Sequence, residues 1–437
     1  MFTRLRLSRF KNFEEAELSM GSFTLLVGAN ASGKSNVREA LRFLHAVGRG
    51  YTLAEIFGGK WSAGERQWDG IAGGVREAAF RGAESFGVEI ETEGKSQNLK
   101  DFSDTLIHRL RLEVATRPDD SLFPRMLAES LVVGIAHVRE PAYDSRSAEQ
   151  KHSDQLVVRL PQLVGSEWAT MDHAFGADRP VLSQVLKRDD PRLGQVDIVV
   201  RDMLTNLSTM RFVDPDPKAM RQPSAPGQTV LSDRGENLSS VLQSLCEDEK
   251  TKAELIRWIR LLTPMDVADL KFASDLRGEV LLLLVESDGT ALSAYSASEG
   301  TLRFLALLAA LLSAEPGLYF FEEIENGLHP SRLRLVLDLI RSRTASRKIQ
   351  VVATTHSPML LSLLDEQQLE HASLVYRLEG ERTGRIQRLL DVPDARRVLA
   401  THDRADLLAS GWFEDMVELA SAPREPLVKR PTPGAAA

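Results

Sequence analysis

The chain has 437 residues, 43% of them apolar and 27% charged, and a formal charge of −8. That is enough chain for a sizeable core in two or three units, and the acidic balance argues against indiscriminate coating of DNA while leaving room for a local basic groove. Cys246 is the one cysteine, which excludes an internal disulfide framework or a Cys-based zinc cluster and suits a reducing, cytoplasmic setting. The longest strongly apolar run, Phe304 to Leu312, falls far short of the roughly 20 residues that cross a bilayer, so no membrane partner is expected. Arg4, Arg6, Arg9 and Lys11 interrupt any signal-peptide core.

In chain order, residues 3–10 alternate apolar and polar, the period of a half-buried strand, and a second strand is expected over Phe23–Val27. The second runs into Gly28-Ala29-Asn30-Ala31-Ser32-Gly33-Lys34-Ser35, after which Asn36 to Val47 has helical periodicity. Short strands follow at Gly87–Glu93, Ile107–Val114 and Leu127–Gly134. The expected units are an N-terminal lobe with a β-rich part (1–145), a mostly helical insert (146–235), a second α/β lobe (236–415) and a disordered tail (416–437). In the second lobe, a helix is expected over Asn237–Leu262, then strands near Lys271 and Val280–Glu286.

Gly28 to Ser35 fits the G-x-x-x-x-G-K-[ST] phosphate loop in its required context, strand before and helix after. Such a loop turns successive N–H groups inward onto phosphate oxygens and adds the positive end of the following helix. Lys34 is expected to reach the outer phosphates and Ser35 to ligate Mg²⁺. Downstream, Leu318 to Phe321 is an apolar strand ending in Glu322 and Glu323, which delivers two carboxylates to the edge of a parallel sheet. Successive strand residues point to opposite faces, so the two acids must do different work. Glu322 is assigned to the metal, through a water, and Glu323 to the attacking water.

Several separated segments resemble the ABC-type P-loop ATPases, in particular the RecF-like, chromosome-structuring and overcoming-lysogenization-defect-like branch. Leu5 to Phe13 is similar to that branch's first strand and turn, and Gly28 to Asn36 to its phosphate loop, with Gly28, Asn30, Ser32, Gly33, Lys34, Ser35 and Asn36 as nucleotide-binding positions. Ala31 stands where the branch usually has glycine, an exchange that a negative φ would accommodate. Ser298, Gly300 and Thr301, before an apolar helix, resemble the ABC signature motif; alone they would more often be a plain helix cap, and it is their position shortly before the acidic strand that favours the signature. Glu322 to Pro330 resembles the Walker B strand and its following loop, with Glu322 where many relatives carry Asp. Val351 to Pro358 resembles the switch-histidine strand, which makes His356 the γ-phosphate sensor.

The resemblance implies an α/β fold: a P-loop ABC-type head with a β-rich N-terminal lobe, the helical insert and a C-terminal parallel-sheet lobe. It implies ATP and Mg²⁺ as cofactors and a homodimer, or higher homo-oligomer, in which the signature of one protomer reaches the γ-phosphate held by the other. It further implies work in DNA repair or antiviral defence, with double-stranded DNA or a separate effector such as a nuclease as partner. The stretch after His356, with Asp391, Asp394, Asp403 and Asp406, is short for a nuclease domain of its own. Gln67 is the candidate for a glutamine loop. The arginines at 332, 334, 341, 343 and 347 are a candidate DNA contact or a solvated helix face, and Arg4 and Arg6 are read as an exposed strand face or, alternatively, as support for the nucleotide. The alternatives are a nucleotide-dependent scaffold that restrains an effector and the ATP-binding subunit of a membrane importer.

Overall fold

The computed structural model describes residues 1–95, 105–116, 123–135, 138–145, 154–164, 167–188, 195–313, 315–345, 348–378 and 380–421. The tail beyond 421 and Arg347 therefore lie outside the described residues. In the first part of the chain come β1 (Phe2–Phe10), β2 (Phe13–Ser19), β3 (Phe23–Val27), α1 (Lys34–Gly48), α2 (Leu53–Gly58), β4 (Lys60–Ser62) and β5 (Glu65–Trp68). Then follow β6 (Ser85–Gly94), β7 (Leu106–Ala115), β8 (Arg125–Ile135), β9 (Val138–Asp144), β10 (Gln155–Val164) and β11 (Glu167–Gly176). The middle holds α3 (Leu182–Val185), α4 (Gln195–Ser208), β12 (Arg211–Val213), α5 (Pro217–Met220), α6 (Leu238–Leu245) and α7 (Glu249–Leu262). Next are β13 (Val267–Ser274), β14 (Val280–Glu286), β15 (Ala291–Ser293), α8 (Glu299–Leu312), β16 (Gly317–Phe321), α9 (Leu333–Thr344) and β17 (Ile349–Thr355). The chain continues through α10 (Pro358–Ser362), α11 (Glu366–Leu369), β18 (Ala372–Tyr376), β19 (Arg385–Arg388), α12 (Ala395–Thr401), α13 (Arg404–Ala409) and α14 (Trp412–Ser421).

Two sheets organise the molecule. One is antiparallel, in the order β11-β10-β9-β8-β7-β6-β1-β2; the other runs β12-β16-β17-β3-β18-β19 and is parallel except for β19. This is the mixed α/β layout implied by the sequence. Burial follows sheet type: β3 and β17 are buried at every position, as strands covered on both faces must be, whereas β1 alternates. The parallel sheet divides two cores. Phe23, Leu25, Tyr319, Phe321, Val351 and Ala353 face the side covered by α6 to α9, while Leu26, Leu318, Phe320 and Val352 face α1, α4 and the antiparallel sheet.

Three features differ from the sequence reading. The segment 146–235, expected to be mostly helical, begins among its described residues with the hairpin β10–β11, which joins the antiparallel sheet at Arg159↔Asp144. Leu156, Val158 and Leu160 of β10 are buried at strand period, which is the signal for that outcome. The same segment then contributes β12 to the parallel sheet, beside β16, so it is woven into the fold on both sides. Finally, the expected helix over Asn237–Leu262 is two, because the Asp248 carboxylate accepts from Thr251 N at 2.9 Å and starts α7 afresh. Among the described residues no helix is long and apolar enough to cross a membrane.

Candidate nucleotide site

The carboxyl ends of β3, β16 and β17 lie side by side, because β17 sits between the other two. The loop after β3, the acids after β16 and the histidine after β17 therefore meet at one sheet edge. At the loop, no acceptor among the described residues takes the amide N–H of Ala31, Gly33, Lys34 or Ser35. Those amides form an anion cradle at the start of α1. Gly33 has φ 126°, and a Cβ there would lie 2.8 Å from Asn12 Nδ2, so the position requires glycine. Ala31 adopts φ 62°, not the negative value that would accommodate alanine without strain. Ala31 is the third residue of a turn in which Ser32 N donates to Ala29 O at 3.4 Å.

Lys34 folds back over this loop, and its Nζ donates to Gly28 O at 2.5 Å and Ala29 O at 2.8 Å. Burial holds its pKa below the ordinary lysine value, against the pull of Glu323, Glu325 and Glu322. Ser35 Oγ donates to Glu322 Oε1 at 2.9 Å, and Arg38 Nη1 lies 2.9 Å from Glu322 Oε2. Serine hydroxyl and carboxylate are hard oxygen donors of the kind Mg²⁺ takes together with phosphate oxygens. Among the described residues no three His, Cys, Asp or Glu side chains gather as a metal site of their own. Ser35 and Glu322 offer two adjacent oxygen donors, a partial set of the kind that phosphate oxygens complete.

Glu322 and Glu323 do face different partners, but the cause is not strand alternation. The strand ends at Phe321, and Glu323 turns the chain with φ 45° while its N–H donates to Thr354 Oγ1 at 2.8 Å. Its carboxylate lies 3.8 Å from His356 Nδ1 and accepts from Asn326 Nδ2 at 3.4 Å. His356 is half exposed, which rules out a packed core histidine. Glu325 fixes this end of β17: its Oε1 accepts from Thr355 Oγ1 at 2.7 Å and from His356 N at 3.1 Å.

Ser298 caps α8, accepting from Thr301 N at 3.1 Å with the two hydroxyls 2.8 Å apart. Gly300 packs on the loop after Glu323, where an added Cβ would sit 2.3 Å from Gly327 O. Among the described residues no hydrogen bond or ion pair joins Ser298, Gly300 or Thr301 to the phosphate loop of the same chain.

Sequence reasoning missed Asn12, Arg38 and Glu325. Asn12 Nδ2 donates to Ser32 O at 3.0 Å, and its Oδ1 accepts from Asn36 Nδ2 at 2.6 Å, so it braces both ends of the loop. Its place in the turn before β2 was the available signal. Asn30 is exposed, and the buried Ser32 hydroxyl has no hydrogen-bond partner among the described residues.

Other candidates lie elsewhere. Gln67 is exposed on β5. Arg4 and Arg6 pair with Glu17, at 3.5 and 2.5 Å, on the sheet face. On and before α9, Arg341 pairs with Asp338 and Asp365, Arg343 with Glu254, and Arg332 donates to Leu261 O; Arg334 is exposed. Asp403 caps α13, and Asp391 and Asp394 pair with Arg388 and Arg397. Burial pushes the Cys246 thiol up to about 11, away from thiolate chemistry.

A family profile described as AAA domain, putative AbiEii toxin, Type IV TA system matches residues 23–129 and 97–362, more than half of the chain. No curated protein matches it. Among solved structures, the chain is 14% identical to a SmcHead bound to the C-winged helix domain of ScpA, covering 88% of this chain and 97% of that one, with a TM-score of 0.49. The SMC head domain from Thermotoga maritima is 13% identical over 88% and 97%, TM-score 0.39. The Smc head domain with an extended coiled coil bound to the C-terminal domain of ScpA, derived from Pyrococcus furiosus, is 13% identical over 91% and 98%, TM-score 0.43.

Proposed function

Since the chain belongs to the AAA-domain family of P-loop ATPases described as putative AbiEii toxin, Type IV TA system, we propose that it binds ATP with Mg²⁺, hydrolyses it, and closes as a homodimer over the nucleotide. The observation that carries this reading is the row of amides at Ala31, Gly33, Lys34 and Ser35 with no acceptor among the described residues, beside the Lys34 ammonium that folds back onto the Gly28 and Ala29 carbonyls.

On binding, the amides and the Lys34 ammonium exchange their present surroundings for the phosphate oxygens. Asn30, Ser32 and Asn36 line or brace the same loop. Ser35 and Glu322 would hold the metal, which supplies charge neutralisation for the outer phosphates. Glu323 orients a water and accepts its proton as the oxygen bonds to the γ-phosphorus and the bond to the ADP oxygen breaks. His356, beside Glu323, donates toward the γ-phosphate. Ser298, Gly300 and Thr301, at the capped N-terminal end of α8, would serve the nucleotide of a second protomer. ATP then favours the closed pair because its γ-phosphate touches both subunits, and hydrolysis removes that preference.

The proposed output acts on a separate effector protein in a repair or antiviral setting. Of the α9 arginines, Arg341 and Arg343 pair with carboxylates and Arg334 is exposed, so double-stranded DNA enters as an arm of the test. The test is steady-state hydrolysis against protein concentration for wild type and Glu323→Gln, with and without double-stranded DNA. Specific activity that rises with concentration and collapses in the variant supports the dimerising ATPase. Tight ATP binding with no turnover at any concentration would leave a scaffold instead.

A further inference from the structure

Arg38 follows Lys34 by one helical turn on α1, so its side chain stands on the same face as the phosphate loop. One guanidinium nitrogen lies 2.9 Å from Glu322 Oε2, and another lies 3.8 Å from Asp214 Oδ2, just past β12. The other oxygen of Glu322 takes the Ser35 hydroxyl at 2.9 Å. Both oxygens of this carboxylate are thus assigned, one to the metal-ligating serine and one to arginine. The Arg38 and Glu322 side chains are only 16% and 23% exposed, so their charge-assisted contact is shielded from the solvent that weakens surface pairs.

We infer that Arg38 is a positioning residue for the metal–nucleotide site, holding Glu322 so that a single oxygen faces Ser35 and the incoming Mg²⁺; the inference rests on the phosphate-site reading above. It also accounts for glutamate at this position. An aspartate, one methylene shorter, would draw its carboxylate back from Ser35 and Arg38, each of which Glu322 meets at 2.9 Å. Asp214 keeps the second arm of the guanidinium engaged, so the fork is anchored from α1, β12 and β16 at once.

The experiment is calorimetric titration of the full chain with a non-hydrolysable ATP analogue, in EDTA and over a series of MgCl₂ concentrations. The variants are Arg38→Gln, which keeps much of the side-chain stem, Arg38→Ala, Glu322→Asp and the double variant Arg38→Ala with Glu322→Asp. Urea midpoints confirm that each is folded. The expected result is unchanged affinity in EDTA, with the Mg²⁺ needed for half of the metal-dependent gain rising by about tenfold in both Arg38 variants. Glu322→Asp should cost clearly less in the Arg38→Ala background than alone, because the span it breaks is already gone. Wild-type Mg²⁺ dependence in the Arg38 variants, or strictly additive effects in the double variant, would overturn the inference. Lys34→Ala serves as the control: were it to bind the analogue as tightly as wild type, the phosphate-site reading would fall and this inference with it.

Discussion

Asn12 Nδ2 donates to the Ser32 carbonyl at 3.0 Å while Asn12 Oδ1 accepts from Asn36 at 2.6 Å, so one side chain from the β1–β2 turn clamps the phosphate loop on both sides of Lys34. Asn12→Ala removes both bonds. The expected loss is about 1–2 kcal/mol of stability, the usual cost of stripping partners from partly buried groups, accompanied by weaker ATP binding as the loop loosens. Urea denaturation and calorimetry on the same variant check the two effects; an unchanged ATP affinity would mean the loop holds its shape without the brace.

Ala31 occupies the left-handed region at φ 62°. Ala31→Gly should therefore be neutral or stabilising by up to about 1 kcal/mol, because glycine carries no Cβ penalty there. In contrast, Ala40→Gly in the buried middle of α1 should cost about 1 kcal/mol from propensity alone. Paired denaturation curves decide it: equal losses at both positions would contradict the strain at Ala31.

Gly300 touches the carbonyl of Gly327 so closely that a Cβ would sit 2.3 Å from it. Gly300→Ala must displace either the signature end of α8 or the loop after Glu323. Steady-state turnover should fall at least tenfold, while ATP affinity, measured on dilute protein, stays near wild type because the phosphate loop is untouched. A matching drop in affinity would show that the clash spreads to the cradle.

Glu129 is wholly buried, accepting from Tyr143 OH at 2.6 Å, Val181 N at 2.6 Å and Leu182 N at 2.7 Å. Burial outweighs those donors and raises its pKa from 4.5 to about 7. The folded state therefore holds this proton more tightly than the unfolded one. Its contribution is fully present below pH 4.5 and is lost as pH rises through about 7. Stability of the wild type should carry a component that declines over this window by on the order of a few kcal/mol. Urea unfolding at several pH values should show that component missing in Glu129→Gln, so an identical slope in the variant would exonerate Glu129.

The parts of the site that follow from local pattern were legible in the sequence. The phosphate loop is one contiguous motif between a strand and a helix. The two acids and the histidine each end an apolar run, and such runs become neighbouring strands of a parallel sheet whose carboxyl ends share an edge. Chain order and residue type suffice for that much, because strand and helix periods are set by the backbone.

Only the tertiary structure decided the rest, since it depends on distances between side chains remote in sequence. Arg38 reads as an ordinary helix residue until β16 brings Glu322 to 2.9 Å from it, and Asn12 as an ordinary turn residue until the loop closes against it. The positive φ of Ala31 and of Glu323 comes from closing loops against neighbouring elements, which no intrinsic preference of alanine or glutamate would select. The hairpin β10–β11 went unrecognised because Val157 and Pro161 blur the Leu156, Val158, Leu160 period of β10, and the large apolar residues of β11, Trp168 and Met171, stand three apart rather than two.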